Sequence, residues 1–158
     1  MKKNPLTPEE EKKLVALLKK VRLPTSYPVF KALCKSVPMV AIDIAVMPDA
    51  EHILLTYRKD EFFNGWHIPG SILLYQETVV HALRRVIRTE LKIKVSKPKF
   101  LNYISYGENR EHGVALLFVV KPKKKGVVQN GKFFNLRNLP PNTIKVHAPE
   151  LNYLKSRN

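Results

Sequence analysis

Between residues 67 and 93 the sequence HIPGSILLYQETVVHALRRVIRTELKI sets Glu77, Arg85 and Glu90 behind a Pro69–Gly70 turn. A turn leading into a helix that carries acid and arginine can hold a metal beside a phosphate: carboxylate oxygens are the hard ligands that Mg²⁺ prefers, and a guanidinium pairs with anions. Past its first turn, however, this helix offers only Glu90, where such a metal asks for several oxygens. Asp43 adds a second informative acid, because a carboxylate inside the apolar run MVAIDIAV needs a partner or a ligand. Arg58 closes the run HILLTYR, His67 stands just before the Pro–Gly turn, and His112 ends the polar loop GENREH. His67 and His112 are candidate site residues, against a packing role for the first and a surface role for the second. Glu108 and Glu111 of that loop could serve as acid or base or simply be solvated, whereas His52 and His147 read as surface residues.

The elements that must carry these residues follow from period and punctuation. Thr7, Pro8 and Glu10 predict a capped helix start, with a helix over 8–22 and an apolar stripe of Leu14, Leu17, Leu18 and Val21 that packs on its own domain or on a partner. LPTSYP breaks the chain, and PVFKALCKSV reads as a second helix ending before Pro38. The β-branched runs MVAIDIAVM and HILLTYR predict two strands about a PDAE turn, and GWHIPGSIL a strand, a turn and a short strand. A helix from about Thr78 to Lys92 follows, with Val80, Leu83, Ile87 and Leu91 expected toward the core and His81, Arg84, Arg88 and Lys92 toward solvent. PKFLNYISYG and HGVALLFVVKP add strands, KFFNLRNLPPNTI a last short one, and APELNYLKSR a closing helix. The expected architecture is α+β, an α/β/α sandwich with a mixed sheet, as one unit over 36–158 preceded by a helical extension over 1–35.

Composition bounds the function classes. The chain has 158 residues, enough to bury a core, and no apolar run reaches membrane-spanning length. The single cysteine, Cys34, excludes an intrachain disulfide, suits a reducing cytoplasm and reads as a packed thiol. A formal net charge of +15, densest at KPKKK (121–125), will attract polyanions, including nucleic acid, with salt-sensitive affinity, and it fits a merely solvated surface equally well.

The segment PGSILLYQETVVHALRRVIRTELKI resembles a Nudix box, the loop–helix motif of hydrolases acting on nucleoside diphosphates linked to another group. Glu77, Arg85, Ile87 and Glu90 match its pattern; Ser71 stands for the first Gly, Val86 and Thr89 replace two carboxylates, and Lys92 replaces the closing Gly. Keeping only the last Glu after the Arg is the pattern of the GDP-mannose mannosyl hydrolase branch, which breaks the bond at the sugar's anomeric carbon with the metal on the departing diphosphate. SVPMVAIDIAV and LLTYRKDEFFNGWHIPG resemble the first strands of that branch, and the similarity extends over about 36–142. The resemblance implies the Nudix fold, Arg58 on the diphosphate, Mg²⁺ on Glu90 and the Gly70 carbonyl, and Glu77 with Arg85 as a structural ion pair. It departs at a second leaving-group Arg, which is Ile72 here, and at the loop KKKGVVQNG, which offers Gln129 as a metal ligand but no histidine base.

Two functions follow as expectations. One is a Mg²⁺-dependent hydrolase of a nucleoside diphosphate sugar or related derivative, in which Asp43 and His112 join the chemistry and Arg58 and His67 bind substrate. The other is a Nudix domain without chemistry that binds nucleotide or RNA through its basic surface. Ordinary pyrophosphate cleavage with ligands from other loops is a third. A second copy of the chain is a further candidate partner, and a membrane is not.

Overall fold

The computed structural model describes residues 5–60, 63–107, 112–123 and 128–157. Two helices, α1 (Pro8–Leu18) and α2 (Tyr27–Ser36), precede the strands β1 (Met39–Val46), β2 (His52–Lys59), β3 (Asn64–His67) and β4 (Gly70–Ile72). Helix α3 (Val79–Val86) continues into a π turn over Ile87–Leu91; β5 (Lys99–Tyr106), β6 (Gly113–Val120), β7 (Gly131–Asn135) and α4 (Ala148–Ser156) complete the chain. One sheet runs β4-β1-β6-β5 and a second β3-β2-β7. Because β1 pairs parallel with β6 and antiparallel with β4, the first sheet is mixed, as the sequence leads one to expect of an α+β fold.

Alternation along β1 divides its side chains between two cores. Ile42, Ile44 and Val46 join Leu54, Ala82, Leu83, Val86 and Leu91 in a core under α3. Ala45 and Met47 face the other way, with Ile53, Leu55, Ile68, Leu117 and Leu136, against Leu151 and Leu154 of α4. Asp43 shares the parity of Ala45 and is therefore aimed toward the α4 side, 5% exposed. Trp66 packs edge-on to Tyr57 and Phe134 at ring distances of 5.1 and 4.8 Å, a core role. Cys34 is buried.

Two expectations about helices need correction. In α3 the buried row is Ala82 and Val86 with Leu83, while Val80 is 54% exposed. The apolar positions at spacings of three and four begin at Val79, not Val80, and this places Ala82, Val86 and Glu90, each four apart, on one line. In α1 the capping box forms as read, Thr7 accepting from the Glu10 amide and Glu10 from the Thr7 amide. The helix ends at Leu18, and no residue of it is buried; Leu14, Leu17 and Leu18 stay 42–53% exposed, so the stripe does not pack on its own domain.

The π turn ends at Lys92 with φ 53° and ψ 24°, and its N–H donates to the Ile87 carbonyl at 2.9 Å. This left-handed cap is where glycine is at ease and a lysine is strained. Lys92→Gly is therefore expected to stabilise the protein by about 0.5–1 kcal/mol, read as a rise in melting temperature of roughly 2 °C.

Candidate active site

Arg85 organises the loop between β4 and α3. Its Nε donates to Glu77 Oε1 at 2.8 Å and its Nη2 to Glu77 Oε2 at 2.8 Å. Nη1 donates to Ser71 Oγ at 3.0 Å and Nη2 also to the Ile72 carbonyl at 2.9 Å. Glu77 in turn accepts the Leu74 N–H at 3.1 Å. The hydrogen bonds from Arg85 hold the Glu77 carboxyl below its usual range, and the pairing raises Arg85. Both side chains are spent on structure.

The loop presents Gly70 to a pocket of about 920 Å³ whose floor and walls come from distant parts of the chain. Gly70 lies directly opposite Asp43 in the β1–β4 ladder. A Cβ at Gly70 would come within 1.9 Å of Asp43 Oδ1 and 2.8 Å of the Ile42 carbonyl, so only glycine lets the carboxyl stand over this backbone. The Gly70 N–H donates to Glu90 Oε2 at 3.1 Å. Glu90 continues the buried Ala82–Val86 row out of the core and into the pocket. Burial holds its carboxyl above the usual range, partly offset by the Gly70 amide and by Arg58 and Arg85. Val86, where a second carboxylate would fall, is fully buried, and the Thr89 hydroxyl donates to the Arg85 carbonyl at 2.9 Å.

The opposite wall was not foreseen. His147, read from sequence as a surface residue, and Glu150 line the same pocket. Ligating atoms of Asp43, His147 and Glu150 all lie within 4.8 Å of one another. Burial, then the negative charges of Glu150 and Glu90, push the Asp43 carboxyl well above its usual range. Burial raises Glu150 to about 6. Burial also lowers His147 to about 3, with Arg58 and, when protonated, His67 adding to the effect, so the ring is neutral. Its Nδ1 stands 4.0 Å from Asp43 Oδ2, too far for a hydrogen bond, and the contact is not an ion pair. Leu23, between α1 and α2, and Tyr27 and Phe30 of α2 close another side of the pocket, although the family resemblance covers only about 36–142.

The remaining predicted residues divide. Arg58 lines the pocket, hydrogen-bonded through Nε to Asp60 and set over the Phe63 ring at 4.6 Å. Gln129 lines it as an exposed side chain. His67 lines it too, but Nδ1 lies 2.8 Å from the Ile68 carbonyl and donates, and Nε2, 3.1 Å from Thr56 Oγ1, accepts. Burial pushes its pKa down, leaving a neutral ring stacked on His147 at 6.0 Å. His112 is exposed and is not brought to the pocket; it precedes Gly113, which pairs with Met39 at the start of β1, roughly 13–16 Å along the strands from Asp43. Glu108, Glu111, Lys124 and Lys125 lie outside the described residues.

Comparison with known proteins agrees with this fold. The model of the NUDIX domain matches residues 37–155. The chain is 40% identical over 70 residues to the 8-oxo-dGTP diphosphatase of Buchnera aphidicola, covering 44% of this chain and 52% of that protein. It is 32% identical over 68 residues to the low-salt glycan biosynthesis protein Agl8 of Haloferax volcanii, covering 42% and 43%. The match thus spans about half the length of these curated relatives. Among solved structures, a MutT NUDIX hydrolase from Burkholderia pseudomallei superposes with a TM-score of 0.59 at 24% identity, over 77% of this chain and 99% of that one. A NUDIX hydrolase from Nitrosomonas europaea gives 0.58 at 19%, over 76% and 72%. Both share the fold.

Two outcomes test this arrangement. Arg85→Lys cannot reproduce the guanidinium's fork and should lower stability by about 1–3 kcal/mol in urea unfolding, with folding otherwise two-state. The second concerns pH. The folded state holds the Glu150 proton up to about 6, against an ordinary 4.5, so folding takes up a proton between these values. Stability of chelator-treated protein should therefore fall as pH rises through this window, by about 2 kcal/mol for Glu150, and Glu150→Gln should remove that part of the slope.

Proposed function

Because this chain belongs to the NUDIX family, we propose that it hydrolyses a nucleoside diphosphate derivative with the aid of Mg²⁺, and that a nucleoside diphosphate sugar is its substrate class. Val86 carries the finer part of this reading. The box helix has given one metal-ligand position to the core and, through Thr89, a second to a backbone hydrogen bond. What it retains toward the pocket is Glu90 beside Gly70. This donor set fits Mg²⁺ in kind, being made of hard oxygens: the Glu90 carboxylate, the Gly70 carbonyl and the Gln129 amide oxygen, completed by water and by the diphosphate itself. Bound there, the cation neutralises charge on the diphosphate and makes it a better leaving group.

The chain's own residues perform the rest. Arg58 leaves Asp60 for the diphosphate, a bidentate exchange of one anion for another. Arg85 and Glu77 keep Gly70 where its N–H meets the Glu90 carboxylate. Asp43, on the far side of Gly70, orders the end of the site that receives the group beyond the diphosphate. A pocket of about 920 Å³ accommodates a ligand of nucleotide-sugar size. Attack at the anomeric carbon passes through an oxocarbenium-like transition state with the diphosphate as leaving group, for which a single helix carboxylate on the diphosphate side suffices. A second reading draws on the exposed row Arg84, Arg88 and Lys92 and the charge of +15: a module that binds polyanions by electrostatics alone.

³¹P NMR of the protein with Mg²⁺ and a panel of nucleoside diphosphate sugars and dinucleotides separates these readings. Release of an intact nucleoside diphosphate is expected, slowed about 100-fold or more in Glu90→Gln. Release of a monophosphate would move the cleavage to the pyrophosphate bond. Absence of turnover across the panel, with salt-dependent RNA binding, would sink the hydrolase reading.

A further inference from the structure

We propose that Asp43, His147 and Glu150 form a second cation site, separate from the Mg²⁺ position on the box helix and suited to a transition ion such as Zn²⁺ or Mn²⁺. The three residues arrive on rigid elements. Asp43 comes from the middle of β1, His147 is the residue before α4, and Glu150 is in the first turn of α4. The spacing His147-x-x-Glu150 is one helical turn and sets both side chains on one face, toward Asp43. One ligand atom from each lies within 4.8 Å of the other two. Ligands of one Zn²⁺ stand about 2.0–2.2 Å from it, hence up to about 4.3 Å from each other. The 4.0 Å between His147 Nδ1 and Asp43 Oδ2 already meets that limit, and the widest separation needs a shift of only about half an ångström.

The second observation is independent of the clustering. Glu150 is 1% exposed, yet its Oε2 has no hydrogen-bond partner among the described residues, and neither does His147 Nδ1. Buried polar atoms are almost always paired, and two residues with unpaired lone-pair donors clustered with a third acid mark a place for a cation. An imidazole with carboxylates is a mixed nitrogen and oxygen set, which ranks Zn²⁺ and Mn²⁺ above Mg²⁺ or Ca²⁺. Three protein ligands leave a coordination position open, the habit of catalytic rather than structural ions, and here the opening faces the pocket. His67 completes the design as a positioning residue. Both its nitrogens are engaged, by Ile68 and Thr56, and its ring stacks on His147 at an angle of 28° and fixes the plane of the ligand. The inference does not depend on the substrate proposed above.

The test is metal binding by the full chain, without any assay of turnover. Chelator-treated protein, kept in excess Mg²⁺ to fill the hard-oxygen position, is titrated with ZnCl₂ by calorimetry, and with MnCl₂ by the loss of the free-ion EPR signal. One equivalent should bind, with affinity reduced at least about tenfold in both Glu150→Gln and His147→Asn and by clearly less than that in Glu90→Gln, which removes a neighbouring charge and no ligand. Circular dichroism confirms that each variant is folded, and two variants from different ligands guard against the collapse of one. Binding lost in Glu90→Gln and kept in the other two would place the ion on the box helix and overturn the proposal. So would failure of the unmodified chain to retain either ion.

Discussion

The guanidinium of Arg85 decides where the loop from Ser71 to Glu77 can lie. Its fork reaches Glu77, Ser71 and the Ile72 carbonyl at once, so the loop cannot slide along α3 without breaking several charge-assisted bonds together. The position of Gly70 depends on this anchor, because β4 is only three residues long and pairs with β1 over three positions. Gly70 in turn meets both Glu90 and Asp43. One structural ion pair thereby sets the relation between the two walls of the pocket. A lysine in place of Arg85 would keep the charge and lose the relation.

A second constraint is the presence of polar groups in places where the fold could have used apolar ones. Asp43 and Glu150 are as buried as the leucines around them, and His147 is nearly so. Each raises the cost of the native state, since neither carboxyl is matched by a cation among the described residues close enough to form an ion pair with it. Stability lost at such a cluster is made good by the two cores on either side of β1, where full burial of each Ile, Leu or Val contributes about 1.5–3 kcal/mol. Local rules broken at one spot inside a well-packed framework are characteristic of a functional site.

How legible was this from sequence? The elements were, because Pro, Gly and the change from a period near four to a period of two mark their limits; the capping box at Thr7 and the strand at MVAIDIAV are examples. The anchor pair Glu77–Arg85 and the Gly70–Glu90 meeting were also legible, since their spacing is fixed by a local motif. The face of α3 was not read correctly. A stripe begun at Val80 and one begun at Val79 fit the period almost equally, and packing under β1 chose the second. Most of the far wall was invisible for a different reason. His147 and Glu150 resemble an ordinary helix start, and nothing local announces that α4 brings them to a strand at the other end of the chain. The one available signal was Asp43 itself, a buried acid in want of partners. The pocket wall from Leu23 to Phe30 gave no signal at all, because its role rests on where α2 docks.

The exchange between the two walls gives the site its chemical character. A carboxylate at position 86 would sit on the same line as Glu90; Val86 instead adds apolar area to the core under α3. The acidic groups that the helix lacks are found across the pocket, on β1 and at the start of α4. The acids of the pocket thus stand mainly on β1 and at the start of α4, with Glu90 from the helix. A cluster on the helix serves reactions in which charge develops at phosphorus, because several oxygens hold a cation against the phosphoryl group. Carboxyl groups away from the helix suit instead a centre that becomes positive, or a cation held among them. The distribution of acids over the two walls, more than their number, is what sets this chain's site apart from a helix-centred one.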